Sequence, residues 1–112
     1  MEFNHFLSSY LPDPSYGGHR LFAVMLEQAR MADRFGYNGV TIPEHHLINI
    51  LLTPSSLQMT VKVSSITENI EVVTSVAVLP IRDMRVFAGE VTQADILKDG
   101  RLVLGVGRGA FA

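Results

Sequence analysis

Three groups of residues in this 112-residue chain have types and spacing that chemistry could use. The first is Glu44-His45-His46, a carboxylate followed directly by two imidazoles. Histidine titrates near neutrality, so a loop histidine beside an acid is a candidate general acid or base. Neighbouring side chains diverge along a backbone, so these three cannot all face one metal ion. No HExxH spacing and no cysteine supplies another ligand set, and no metal is expected. The second group is Gly105-Val106-Gly107-Arg108-Gly109. Glycines let backbone N–H groups approach an anion, and a planar guanidinium matches a phosphate. The third is Thr74-Ser75-Val76, shortly before Leu79-Pro80. Each group taken singly also has a plain structural explanation: a solvated loop, a tight turn, an ordinary strand.

Those groups need elements to hold them. Glu2 to Leu7 reads as a first strand, followed by a loop rich in Ser, Pro and Gly from Ser8 to Gly18. Phe22, Met25, Leu26, Ala29, Ala32 and Phe35 recur at helical spacing, and Gly36 stands where a helix would stop. Gly39 to Pro43 is a short branched strand ended by proline. Thr53-Pro54 resembles a helix cap followed by proline in the first turn, with Leu57, Val61 and Ile66 directed inward. Ile70 to Leu79 is almost continuously apolar, as in a strand covered on both faces of a parallel sheet. Val86 to Lys98 is helical again, with Gly100 as its stop, and Leu102 to Val106 is a fourth strand.

Strands near residues 3, 40, 72 and 102 recur at the length of a βαβ unit, so the class is α/β with a parallel sheet. An open doubly wound sheet and a (β/α)8 barrel both fit, and both gather function at the carboxyl ends of the strands. All three chemical groups fall at such ends. A whole barrel takes ~250 residues and eight strands, and only about four strands fit here, so in the barrel case this chain is half of one. His5 is expected to be a satisfied rim or core residue, His19 a solvated loop residue, and Arg82 a solvated residue at a helix start. Met25, Met31 and Met59 are expected to fill core or interface gaps.

Composition narrows the class of function. Apolar residues make up 47% and charged residues 18%, too apolar for a disordered chain. Nine basic against eleven acidic residues leave −2, with no surplus to neutralise nucleic acid. No window approaches a membrane span, the N-terminus does not read as a signal peptide, and the lack of cysteine suits a reducing, cytoplasmic setting.

The groups also stand in an ordered series. It runs from Glu27-Gln28-Ala29-Arg30-Met31-Ala32-Asp33 through Gly39-Val40-Thr41-Ile42-Pro43-Glu44-His45-His46 and Leu79-Pro80. It ends in Asp99-Gly100-Arg101-Leu102 and Gly105-Val106-Gly107-Arg108-Gly109. This series resembles the amino-terminal half of the bacterial luciferase-like flavin monooxygenases, almost end to end. The resemblance implies that residues 1–112 are one domain holding the first four βα units of a (β/α)8 barrel, a half-barrel with a parallel sheet. The barrel would use reduced FMN, or alternatively a deazaflavin coenzyme, with O2 to oxygenate a small organic substrate. It implies His45 as the catalytic residue, and Glu44, Ser75, Val76, Gly107, Arg108 and Ala110 as cofactor contacts. Arg108 would meet the flavin phosphate, and a non-prolyl cis peptide would fall at Ser75–Val76. A flavin reductase would supply the reduced cofactor. Met84 departs from the pattern, since relatives usually carry proline there, and the loop near Arg82 is expected to be less fixed. A half-barrel leaves two strand edges and an apolar face open, so pairing with a copy of itself is expected. The alternatives are a non-catalytic flavin-binding or structural oligomer, and an unrelated open-sheet nucleotide binder, which the glycine spacing disfavours.

Overall fold

Short runs of branched residues separated by amphipathic stretches are satisfied when strands lie side by side under a layer of helices. A computed structural model, describing residues 1–109, shows this arrangement. Its elements are β1 (Asn4–Phe6), α1 (Gly18–Arg34), β2 (Gly39–Ile42), α2 (Ser56–Ser65), β3 (Glu71–Val78), α3 (Met84–Leu97) and β4 (Leu102–Gly107), with a short 3-10 turn at Pro14–Tyr16. All strands are parallel, in the order β1-β2-β3-β4.

The register separates barrel from doubly wound sheet. Val40, Val72 and Leu102 stand in one row across the sheet, and all three pack into the helix-side core. Phe6, Thr41, Val73 and Val103 form the next row, on the opposite face. That face has no helix among the described residues, and Phe6 stays 52% exposed. A doubly wound sheet reverses its strand order and is covered on both faces. Here the order never reverses and α1, α2 and α3 share one face, which is half of a (β/α)8 barrel.

The core has two centres. Leu21, Met25, Ala29 and Ala32 of α1 meet Val40, Ile42 and Val72 of the sheet, while Phe87 and Ala94 of α3 meet Leu57 of α2 and Ala77 of β3. Each large aliphatic side chain buried this way contributes ~1.5–3 kcal/mol. Among the methionines, Met25 is buried and Met59 packs on the first cluster, whereas Met31 is 40% exposed. On α3, Val86, Ile96 and Leu97 are exposed, because its packed stripe is the narrower set Phe87, Val91 and Ala94.

Several boundaries shift by a residue or two from the sequence expectation, and two helix starts differ in what their residues do. α2 is capped by Ser55, whose hydroxyl accepts from the Gln58 N–H at 3.3 Å, and not by Thr53. Thr53 is buried instead, donating to the Ser9 hydroxyl at 2.9 Å. α1 begins at Gly18, so His19 lies in its first turn, still exposed. At its far end, Asp33 accepts the backbone N–H groups of Glu68, Asn69 and Ile70 at 2.8–3.2 Å, which pins the entry to β3. No described helix is long and apolar enough to cross a membrane.

Candidate functional site

The carboxyl end of β2 is short for a reason: Pro43 follows Ile42 and cannot donate to a ladder. The β2–β3 pairing accordingly ends at Ile42 opposite Thr74. β3 runs four residues further, to Val78, and the Glu44 side chain takes over where β2 stops. It is fully buried, with one oxygen accepting from Ser56 Oγ and Arg82 Nη2, both at 2.9 Å. The other oxygen accepts from Arg82 Nη1 at 2.7 Å, the Val78 N–H at 2.9 Å and His46 Nε2 at 3.0 Å. Burial pushes this carboxyl up, but the Arg82 guanidinium, His46, the Val78 N–H and Ser56 together outweigh it and hold the pKa at about 2. Glu44, expected among the cofactor contacts, therefore turns its carboxylate wholly into the protein.

Arg82 was expected to be solvated and its loop loosely held. Its side chain is instead only 18% exposed, forked onto Glu44, donating also to the Val78 carbonyl and lying 4.9 Å over the Phe87 ring. Nothing local announces this pair, because 38 residues separate its members. Met84 simply begins α3 behind the Asp83 cap, whose carboxylate accepts from Arg85 N at 3.0 Å.

β3 and β4 meet through a bulge. Thr74 pairs with Leu104 and Ala77 with Val106, so Ser75 and Val76 together oppose Gly105. The Ser75–Val76 peptide is cis. The Thr74 hydroxyl bridges the irregularity, accepting from Gly105 N–H at 2.9 Å and donating to its carbonyl at 2.8 Å. Glycine is required at 105, since a Cβ there would stand 2.1 Å from the Thr74 carbonyl oxygen. A Cβ at Gly107 would meet Val76 Cγ2 at 2.8 Å. Past the bulge, Leu79 N–H donates to the Gly107 carbonyl at 2.9 Å.

The ends of β2, β3 and β4 thus share one rim. Ser75 is exposed there, Val76 and Gly107 are half-buried, and Arg108 is exposed just beyond. His45 follows Glu44, with its N–H donating to the Thr53 carbonyl at 2.9 Å. Its half-buried side chain borders an apolar hollow of about 450 Å3 shared with Phe22, Leu47, Ile48, Leu51 and Leu52. The loops before α1 and α2 are joined by a Tyr10–Leu51 antiparallel bridge and by Leu11 N–H donating to the Ile50 carbonyl at 2.7 Å. Sequence periodicity carries no sign of that strap. Of the other expected residues, Ala110 lies outside the described residues, and His5 bonds Gln28 Oε1 at 3.0 Å on the helix side, away from the rim.

The model of the luciferase-like monooxygenases matches residues 1–112, the full chain. The chain belongs to that family. The oxygenase component of a flavin-dependent trigonelline monooxygenase from Acinetobacter baylyi is 30% identical over 93 residues, covering 83% of this chain and 26% of the relative. Among solved structures, the oxygenating constituent of 3,6-diketocamphane monooxygenase from Pseudomonas putida, in complex with FMN, superposes with a TM-score of 0.91. Identity is 23%, over 99% of this chain and 30% of that one. An F420-dependent secondary alcohol dehydrogenase reaches a TM-score of 0.73 at 18% identity, over 96% of this chain and 32% of that one. The chain therefore spans about a quarter to a third of the length of these relatives and neighbours.

Proposed function

We propose that this chain carries the amino-terminal flavin-side part of a flavin-dependent monooxygenase, which uses reduced FMN and O2 to oxygenate a small organic substrate. The observation that carries this is the rim itself: the bulged β3, the glycines of β4 with Arg108, and the His45 loop end side by side. The residues fit a planar ring bearing a phosphate. Glycine at 107 lets Val76 pack directly on the β4 backbone, since a Cβ there would stand 2.8 Å from Val76 Cγ2. Ser75 and Val76 present bulged backbone at the rim, and Arg108 offers an exposed guanidinium for the phosphate. When bound, the flavin would supply the oxygen chemistry. His45 would hold or move a proton at its imidazole, and the strapped apolar loops would exclude water from its side of the site.

The reading includes a separate reductase as the source of reduced flavin, a cytoplasmic setting, and self-association through the open sheet face. Likeness to both an FMN-bound and an F420-dependent protein keeps a deazaflavin as the second cofactor candidate. The experiment is a titration with FMN, F420 and NADH, each followed by fluorescence. Saturable binding of FMN is expected. Saturation by F420 alone replaces the cofactor, and saturation by NADH alone overturns the reading.

A further inference from the structure

We infer that Arg82, forked onto Glu44, is the positioning residue that holds the end of β3 against the His45 loop and so sets the geometry of the flavin rim. This rests on the flavin reading above and adds to it a role for two residues, one with its carboxylate fully buried and the other only 18% exposed. Both backbone polar groups of Val78 are held by this one ion pair: its N–H donates to Glu44 Oε2 at 2.9 Å, and its carbonyl accepts from Arg82. They need such partners because β2 ends at Ile42, four residues short of the end of β3. A buried peptide without partners is costly, so the side chains of Glu44 and Arg82 stand in for a missing stretch of strand.

The same pair fixes what lies on either side. Glu44 adjoins His45 in the chain, and its second oxygen accepts from Ser56 Oγ at the start of α2. Leu79, next to Val78, bonds Gly107 and so carries the constraint into β4. Five donors converge on one carboxylate, more than its four or so lone-pair sites, and two of them come from a single rigid guanidinium. Lysine keeps the charge but cannot fork, which separates geometry from charge.

The test is Arg82→Lys, with Glu44→Gln as the second variant should the first fail to fold. Amide hydrogen exchange is read at Val78 and His45 against Val40 and Val72 in the core, alongside the FMN dissociation constant. The expected result is a loss of protection at Val78 at least tenfold greater than at Val40 and Val72, with FMN binding weakened about tenfold. Equal loss at all four amides means the pair merely stabilises the fold, and overturns the inference. So does unchanged protection at Val78, or a loosened Val78 with unchanged FMN affinity. If the unaltered protein binds no FMN, the flavin reading fails while the exchange pattern still decides whether Arg82 positions this rim.

Discussion

At the scale of single residues, the account divides labour between His45 and Arg108. A proton-handling imidazole acts on rate, whereas a guanidinium on a phosphate acts on affinity. In the active protein, His45→Ala is expected to lower turnover by ~10²–10⁴-fold with little change in flavin affinity, as measured by product formation against FMN titration. Arg108→Ala is expected to weaken FMN about 10–100-fold, the loss of one charge-assisted contact. The reverse pattern would exchange the two roles. The place of these two residues at strand ends is legible from the order of the elements, while the roles given to them rest on the resemblance, since each group taken singly also has a plain structural explanation. Arg82 was not legible, because an arginine at the entry to a helix looks the same whether it is solvated or buried against a carboxylate 38 residues away. Glu44 shows the converse. Its position at the rim was readable, but the direction of its side chain depended on that unseen partner.

At the scale of elements, the β3–β4 bulge is the part least forgiving of change. Gly105→Ala drives a Cβ to 2.1 Å from a backbone oxygen that cannot swing away. A destabilisation of ~2–4 kcal/mol is expected by chemical denaturation, with flavin binding lost along with the bulge. The end of α3 makes a separate prediction. Lys98 is completely buried at the helix C-cap with no hydrogen-bond partner for its Nζ among the described residues, and burial, aided by Arg101, pulls its pKa down to about 8. Its unfolded value is near 10.4, so the unfolded chain holds more protons between those limits and stability rises with pH from about 8 to 10. Lys98→Met is expected to stabilise the protein by ~1–3 kcal/mol at pH 7, the gain shrinking toward pH 10 in denaturation curves. The strands and helices themselves were readable from period and stop signals, with Gly36 and Gly100 ending helices at positive φ as expected. The cap of α2 is ambiguous in the sequence because Thr53-Pro54 and Ser55 offer competing caps two residues apart, and burial of Thr53 against Ser9 decides between them. The strap joining Tyr10 to Leu51 is not legible in the sequence, because one antiparallel bridge between loops leaves no periodic trace.

At the scale of the whole molecule, four parallel strands in sequential order with helices on one face make half of a (β/α)8 barrel. Alternation and repeat length were enough to limit the fold to two architectures. The decision between them lay in strand order and in which face the helices cover, neither of which periodicity encodes. The same half-barrel geometry brings the ends of β2, β3 and β4 to one rim, and the central claim is that a single flavin lies across it. The most direct measurement is a backbone amide NMR titration with FMN. The account predicts that His45, Val76, Gly107 and Arg108 shift together with one dissociation constant, while Tyr37 and Phe35 at the opposite end of the sheet stay in place. Shifts confined to one of those strand ends, or centred on Tyr37, would contradict it.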